Sequence, residues 1–305
     1  MFSPWIGALR SVALTVPDIA QAETFYTQVW RLRVALREAG VLYLCGSGAD
    51  HHLLALHEAP GTPQIRHVSL RARSLDALQA VAQVGVAAGG VLEQAIGPST
   101  DPAGGVHLLL RDPHGRRFEV LFGDTQNTAE EPAPAEQQQD VPQRLAHAVL
   151  NTHNVPQAQG FLEQALGFVL ADRTKIMAFM NCNRDHHSLA LGDTDNCALN
   201  HIAFVMPTLD AVMRGGGRML AAGHAIEWGP GRHGPGDNAF NYFIDPFGIV
   251  IEYTAEVEQV TANYPTRGPA DWAWPPGRVD HWGISQPPSK ALKQAQRGVL
   301  FSPSL

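Results

Sequence analysis

RSVALTVPDIAQAETFYTQV at residues 10–29 and AHAVLNTHNVPQAQGFLEQA at residues 146–165 spell one pattern twice. Each is an alternating apolar run, a short polar break, and then apolar residues at helical spacing, which predicts a strand leading into a helix. The correspondence runs on in register: Phe25 aligns with Phe161, His52 with His187, His67 with His201, Ser74 with Thr208 and Pro113 with Pro246, the offset drifting from 136 to 133. A drift of single residues means short loop deletions inside a duplicated unit. SLDALQAV (74–81) and TLDAVMRG (208–215) both open on a hydroxyl that can cap a helix. RDPHGRRFEVLF (111–122) and IDPFGIVIEYTA (244–255) both place an Asp-Pro-x-Gly turn before an alternating strand. Each half therefore reads strand, helix, strands and then the same again, an α+β order in which curled sheets enclose a pocket and helices lie outside.

The polar, Pro/Ala/Gln-rich stretch around residues 125–141 reads as a linker. It divides an N-terminal unit (1–124) from a C-terminal unit (142–262), followed by a tail (263–305) whose proline-rich part, 269–288, is a candidate lid. A net charge of −7 and the lack of any Lys/Arg run argue against nucleic acid as a partner. No run of 18 apolar residues occurs, and the first residues carry no signal-like core, so a soluble cytoplasmic protein without membrane attachment is expected. Three cysteines without CxxC spacing suit a reducing compartment and suggest no thiolate metal site.

Fourteen histidines are many for 305 residues. His147, His201 and Glu252 each lie inside an apolar run that predicts a buried strand, where an imidazole or carboxylate needs a partner. A metal ion would satisfy all three, and two imidazoles with one carboxylate form the facial triad of non-haem Fe(II), with Mn(II) as the alternative ion. The first half is an internal control: His67 and Glu119 match His201 and Glu252, but Ser11 stands where His147 should be, so that set is incomplete and reads as structural.

LAHAVL, HHSLAL, LNHIAF, GRHGPGDNAFNYFIDPFGIVIEY and the closing DHWG, in that order within tandem halves, resemble a type I extradiol ring-cleavage dioxygenase of the vicinal oxygen chelate superfamily. The resemblance covers nearly the whole chain, and its motifs are specific in the second half. It implies two tandem domains of paired βαβββ modules, metal only in the C-terminal domain, and homo-oligomers. It also implies His147, His201 and Glu252 as ligands of Fe(II) (or Mn(II)), His187 as the acid/base histidine, and His233 and Tyr242 as the residues beside the substrate. The implied partners are a catechol and O₂, and the implied product is a muconic semialdehyde type of ring-opened compound.

By this reading His51, His52, His186, His153 and His224 are scaffold, surface or supporting residues. Trp228, Phe240, Trp272 and Trp274 are candidate pocket walls, and Arg232 and Arg278 candidate anchors for an anionic substituent. The alternatives within the superfamily are a metal-dependent glyoxalase-like isomerase or lyase and a non-catalytic aromatic-ligand or antibiotic-binding protein.

Overall fold

In a computed structural model, residues 2–127 and 140–303 are described; most of the expected linker therefore lies outside the described residues. The first half contains β1 (Ile6–Val16), α1 (Ile19–Thr24, continued as a π turn over Phe25–Val29), β2 (Arg33–Glu38), β3 (Val41–Cys45) and β4 (Leu54–Glu58). A second module follows: β5 (Gln64–Ala72), α2 (Leu75–Ala87), β6 (Val91–Pro98), β7 (Val106–Arg111) and β8 (Arg117–Phe122). The second half repeats the order with β9 (Arg144–Thr152), α3 (Val155–Leu166), β10 (Val169–Arg173), β11 (Met177–Asn181) and β12 (Leu189–Asp193). It closes with β13 (Ala198–Val205), α4 (Leu209–Ala221), β14 (Trp228–Arg232), β15 (Ala239–Ile244) and β16 (Val250–Ala255). The architecture is α+β, two tandem pairs of βαβββ modules, as the repeat predicts.

The capping and turn residues explain why the elements start where they do. Ser74 Oγ accepts from Ala77 N and Thr208 Oγ1 from Ala211 N, both at 3.0 Å, each satisfying one of the free N–H groups of a first helical turn. Asp112 accepts from the backbone of His114 and Arg116, and Asp245 from Phe247 and Ile249, so the two Asp-Pro-x-Gly turns are built alike. Both end on a glycine at φ 87°, a conformation costly for other residues.

Within each half the first strand of one module pairs antiparallel with the first strand of the next, β1 with β5 and β9 with β13. Each of these strands also takes the last strand of its own module in parallel: β4, β8, β12 and β16. The result is one paired strand set per half with the first strands of its two modules at the centre. The halves pack through Trp30, stacked on Tyr253 at 3.6 Å between ring centroids, and through Tyr26 Oη, which donates to Asp245 Oδ2 at 2.8 Å.

The tail adds an element that the sequence reading did not anticipate. After α5 (Lys290–Ala295), β17 (Val299–Phe301) pairs antiparallel with β13 and parallel with β5, hydrogen-bonding the two halves into one sheet system. Among the described residues no helix is long and apolar enough to cross a membrane.

Candidate functional site

Strand register brings the first three site residues together. On β13, Ala203 lies opposite His147 of β9 on one side and opposite Glu252 of β16 on the other. Directly opposed residues project to the same face, so the imidazole and the carboxylate share the concave side, with a methyl group between them leaving space. His201, two residues back along β13, joins from the same face. All three side chains are buried, Glu252 completely.

The donor atoms converge. His147 Nε2 lies 3.2 Å from Glu252 Oε2, His201 Nε2 3.3 Å from the same oxygen, and the two Nε2 atoms 3.3 Å apart. His201 Nδ1 donates to Asn200 Oδ1 at 2.8 Å, which turns the lone pair of Nε2 inward. Burial pushes the Glu252 carboxyl up, but the charge and hydrogen bonds of His147, with those of His201 and His233, outweigh this and hold it well below the usual range. Burial brings His201 down to about 4 against the pull of Glu252, so its imidazole is neutral and able to ligate. Three potential ligand atoms converging in a dry site can hold a cation in place of the protons they would otherwise share. Their spacing suits one face of an octahedral first-row dication, whose bonds of about 2.1–2.3 Å put neighbouring ligands about 3 Å apart. The residues present fit such an ion.

The remaining three candidates surround this point. His187 lies in the loop leading into β12; its ring centroid is 4.3 Å from that of His147. Burial, reinforced by the charges of His147 and His186, holds His187 well below the ordinary imidazole range. Tyr242, opposite Glu252 on β15, has its hydroxyl 3.0 Å from His233 Nε2 and 3.4 Å from His201 Nε2. Burial, followed by the Glu252 charge, raises the phenol well above its usual range, so it stays a donor. His233 is stacked on Phe240 at 4.0 Å between centroids and flanked by Trp228 at 5.1 Å. All six positions predicted for the site are therefore brought together.

Other expectations change. His186 is fully buried, and it links His187 to a carboxylate: its Nδ1 is 3.0 Å from His187 Nδ1 and its Nε2 2.9 Å from Asp172 Oδ2. Asp172, not anticipated from the sequence, also accepts from Arg267 N at 2.8 Å and from Tyr264 Oη at 3.2 Å. Asn238, likewise missed, is buried and holds Thr254 Oγ1 at 2.7 Å while reaching Glu252 Oε1 at 3.4 Å. Gly236, at φ 86°, backs onto the histidine pair: a Cβ there would sit 3.1 Å from His187 Cε1 and 3.3 Å from His186 Nδ1. Trp272 and Trp274 do reach the site's edge, covering Gly234 beside His233, and the tail is fastened there by His281 N donating to Arg232 O at 2.7 Å. Arg232 and Arg278 are not free anchors, since Arg232 pairs with Glu256 and lies over the Trp282 ring, and Arg278 bonds the His281 carbonyl.

The first half surrounds the matching carboxylate with different partners. Ser69 takes the place of Ala203, opposite both Ser11 and Glu119, and its hydroxyl donates to Glu119 Oε2 at 2.5 Å. His107 Nδ1 holds the other oxygen at 2.6 Å. Burial raises the Glu119 carboxyl, but His107, His67 and Ser69 outweigh it and bring it down to about 2. His51 and His52 repeat the Nδ1–Nδ1 contact at 3.1 Å, yet His52 Nε2 is blocked by Arg10 at 2.7 Å, itself paired with Asp101. A hydroxyl and a second histidine thus supply in the first half what a cation would supply in the second.

A model of the Glyoxalase/Bleomycin resistance protein/Dioxygenase superfamily matches residues 8–120 and 144–253. The chain is 33% identical over 193 residues to metapyrocatechase 2 of Cupriavidus necator, a match covering 62% of this chain but only about half, 54%, of that relative. It is 23% identical over 263 residues to a manganese-dependent 2,3-dihydroxybiphenyl 1,2-dioxygenase of Geobacillus genomosp. 3, covering 79% of this chain and 82% of the relative. Among solved structures, the Mn(II)-bound glyoxalase from Novosphingobium aromaticivorans superposes with a TM-score of 0.85 at 32% identity, covering 94% of each chain. A variant of homoprotocatechuate 2,3-dioxygenase from B. fuscum superposes with a TM-score of 0.82 at 23% identity, covering 92% of this chain and 79% of that one, a likeness of fold.

Proposed function

This chain belongs to the glyoxalase/bleomycin resistance protein/dioxygenase superfamily, and from that premise we propose that it is an Fe(II)-dependent extradiol dioxygenase opening a catechol-type ring next to the diol with both atoms of O₂. Mn(II) is the alternative ion. The observation that carries this reading is the convergence of His147, His201 and Glu252 with His187, His233 and Tyr242 on one concave face. A divalent ion held by the three ligands would bring catecholate and O₂ side by side and pass electron density between them.

The chain's own residues supply proton control and orientation. The Asp172 carboxylate can only accept, so His186 Nε2 donates to it. When neither ring carries a charge, His186 Nδ1 then accepts and His187 Nδ1 donates, which leaves the lone pair of His187 on Nε2. That nitrogen can take the proton of a substrate hydroxyl and return it when the ring opens, the resulting charge being shared through His186 with Asp172. Tyr242, held as a phenol, donates to a substrate oxygen, and His233 fixes its hydroxyl direction. Trp228, Phe240, Trp272 and Trp274 provide apolar cover that keeps bulk water from this proton traffic.

Anaerobic loading with Fe(II) or Mn(II), followed by a panel of catechols, should give O₂ uptake and a coloured ring-fission product in equal amounts. Bound metal with no uptake on any catechol would overturn the assignment. The likeness to the Mn(II)-bound glyoxalase supports a second reading, a metal-dependent isomerase or lyase; turnover that consumes no O₂ would favour it. A homo-oligomer accompanies the first reading in keeping with the family resemblance, and a cytoplasmic location in keeping with three cysteines that lack CxxC spacing.

A further inference from the structure

A second cluster of metal-binding side chains lies away from this site. His114 comes from the Asp-Pro-x-Gly turn between β7 and β8 of the first half, His153 from the short link between β9 and α3, and Cys197 from the approach to β13. One ligand atom from each lies within 4.8 Å of the others. Cys197 Sγ is 3.8 Å from His153 Nδ1, and the two imidazole rings meet edge to face at 4.7 Å between centroids.

His114 Nε2 is buried without any hydrogen-bond partner, an unusual state for a polar atom that a ligand would relieve. Burial and then the Arg116 charge hold that ring below its ordinary range, in the neutral form that can ligate. The Arg116 guanidinium is itself neutralised by Asp112, so it offers little repulsion to an incoming cation.

We propose that His114, His153 and Cys197 form a second metal site, for Zn(II), that staples the turn of the first half to the second half. One thiolate and two imidazoles are a soft-to-borderline set matched to zinc. Tetrahedral bonds of about 2.0–2.3 Å separate ligand atoms by roughly 3.3–3.6 Å, so small side-chain rotations would close the observed spacing. Binding displaces the Cys197 thiol proton to solvent and leaves the fourth position to water. The site escapes any reading of cysteine spacing because its ligands lie 39 and 44 residues apart and belong to different halves.

The test uses the whole chain stripped of metal and reloaded with Zn(II) or Co(II). Two equivalents should bind, and the Co(II) form should show a thiolate-to-metal charge-transfer band, which the nitrogen and oxygen ligands of His147, His201 and Glu252 cannot give. Cys197→Ser and the exposed His153→Ala should each lose that band and one equivalent, while keeping wild-type O₂ uptake when loaded with Fe(II) instead. Glu252→Ala should lose the other equivalent and keep the band, so failure here and failure of the dioxygenase reading are separable. In Glu252→Ala, where only this site is left, Zn(II) at a hundred times its Kd should raise the melting midpoint by about 4 °C, an effect absent once Cys197→Ser is added. A Co(II) form without the band, or a band and second equivalent that survive in Cys197→Ser, would overturn the proposal.

Discussion

Replacing Asp172 by Asn tests the proton chain without touching any residue placed beside the substrate. The asparagine can still accept from Arg267 N, but its amide would then face His186 Nε2, where the carboxylate accepts at 2.9 Å. An amide N–H there requires His186 Nε2 to accept. The ring must then carry its proton on Nδ1, which donates to His187 Nδ1 across 3.0 Å, and His187 is left protonated on Nε2. The base is lost although no atom near the ligands has moved. General acid–base catalysis contributes about 10²–10⁴-fold, or roughly 3–5 kcal/mol of barrier, and kcat should fall within that range. Metal content should be unchanged, because His147, His201 and Glu252 keep their contacts. Losing a buried charged acceptor should cost about 1.5–3 kcal/mol of stability, a drop in Tm of several degrees that leaves the protein folded at 25 °C. Single-turnover decay of an anaerobic substrate complex mixed with O₂ isolates the chemical step. The decisive measurement is a cycle with His187→Ala: if the relay acts through His187, Asp172→Asn should slow that background by less than threefold. Wild-type turnover in Asp172→Asn with metal retained, or fully additive losses in the cycle, would refute the relay.

His147→Ala or Glu252→Ala should abolish metal retention at the catalytic cluster, read by elemental analysis after dialysis, whereas His67→Ala in the first half should keep it. Tyr242→Phe should retain metal and lose about 10²-fold in kcat by removal of one aimed donor, with a smaller change in KM, checked by steady-state O₂ uptake. Glu119 governs acid stability: its carboxyl lies at about 2 in the fold against about 4.5 unfolded, so its contribution is complete above pH 4.5 and is lost as pH falls towards 2. The ceiling on that contribution is about 3 kcal/mol; urea melts between pH 3 and 6 should show Glu119→Gln with a flatter decline than wild type, and equal slopes would contradict the assignment.

The duplication was legible because its signals are local. Hydroxyl caps, Asp-Pro-x-Gly turns and alternating runs depend on neighbours within five or six residues, and both copies spell them out. His147, His201 and Glu252 were legible because a charged or imidazole side chain inside an apolar strand asks for an explanation. Asp172 gave no such signal: it follows an ordinary alternating run, and its partner His186 is brought to it by the antiparallel return of the chain through β11. His186 itself looked like a bystander, because two adjacent histidines in sequence do not say which faces the pocket and which faces inward. The Arg10 plug over His52 was hidden for the same reason, since it depends on Asp101, 91 residues away. β17 was missed because the proline-rich stretch before it suggested irregular chain to the end.

That last strand also dictates an order of events. Leu300 pairs with Gln64 at a separation of 236 residues, so the strand ladder that bridges β5 and β13 belongs to residues synthesised after every other described strand. Each half can curl its own sheet and pack on the other through Trp30 and Tyr253 before the tail arrives, but the ladder that bridges them must wait for it, and closing so long a loop is slow. Until then β5 and β13 each lack a neighbour that the finished molecule provides. A chain shortened by a few residues before Val299 would therefore be weakened far from its own end, at two strands in different halves, and one of them carries His201.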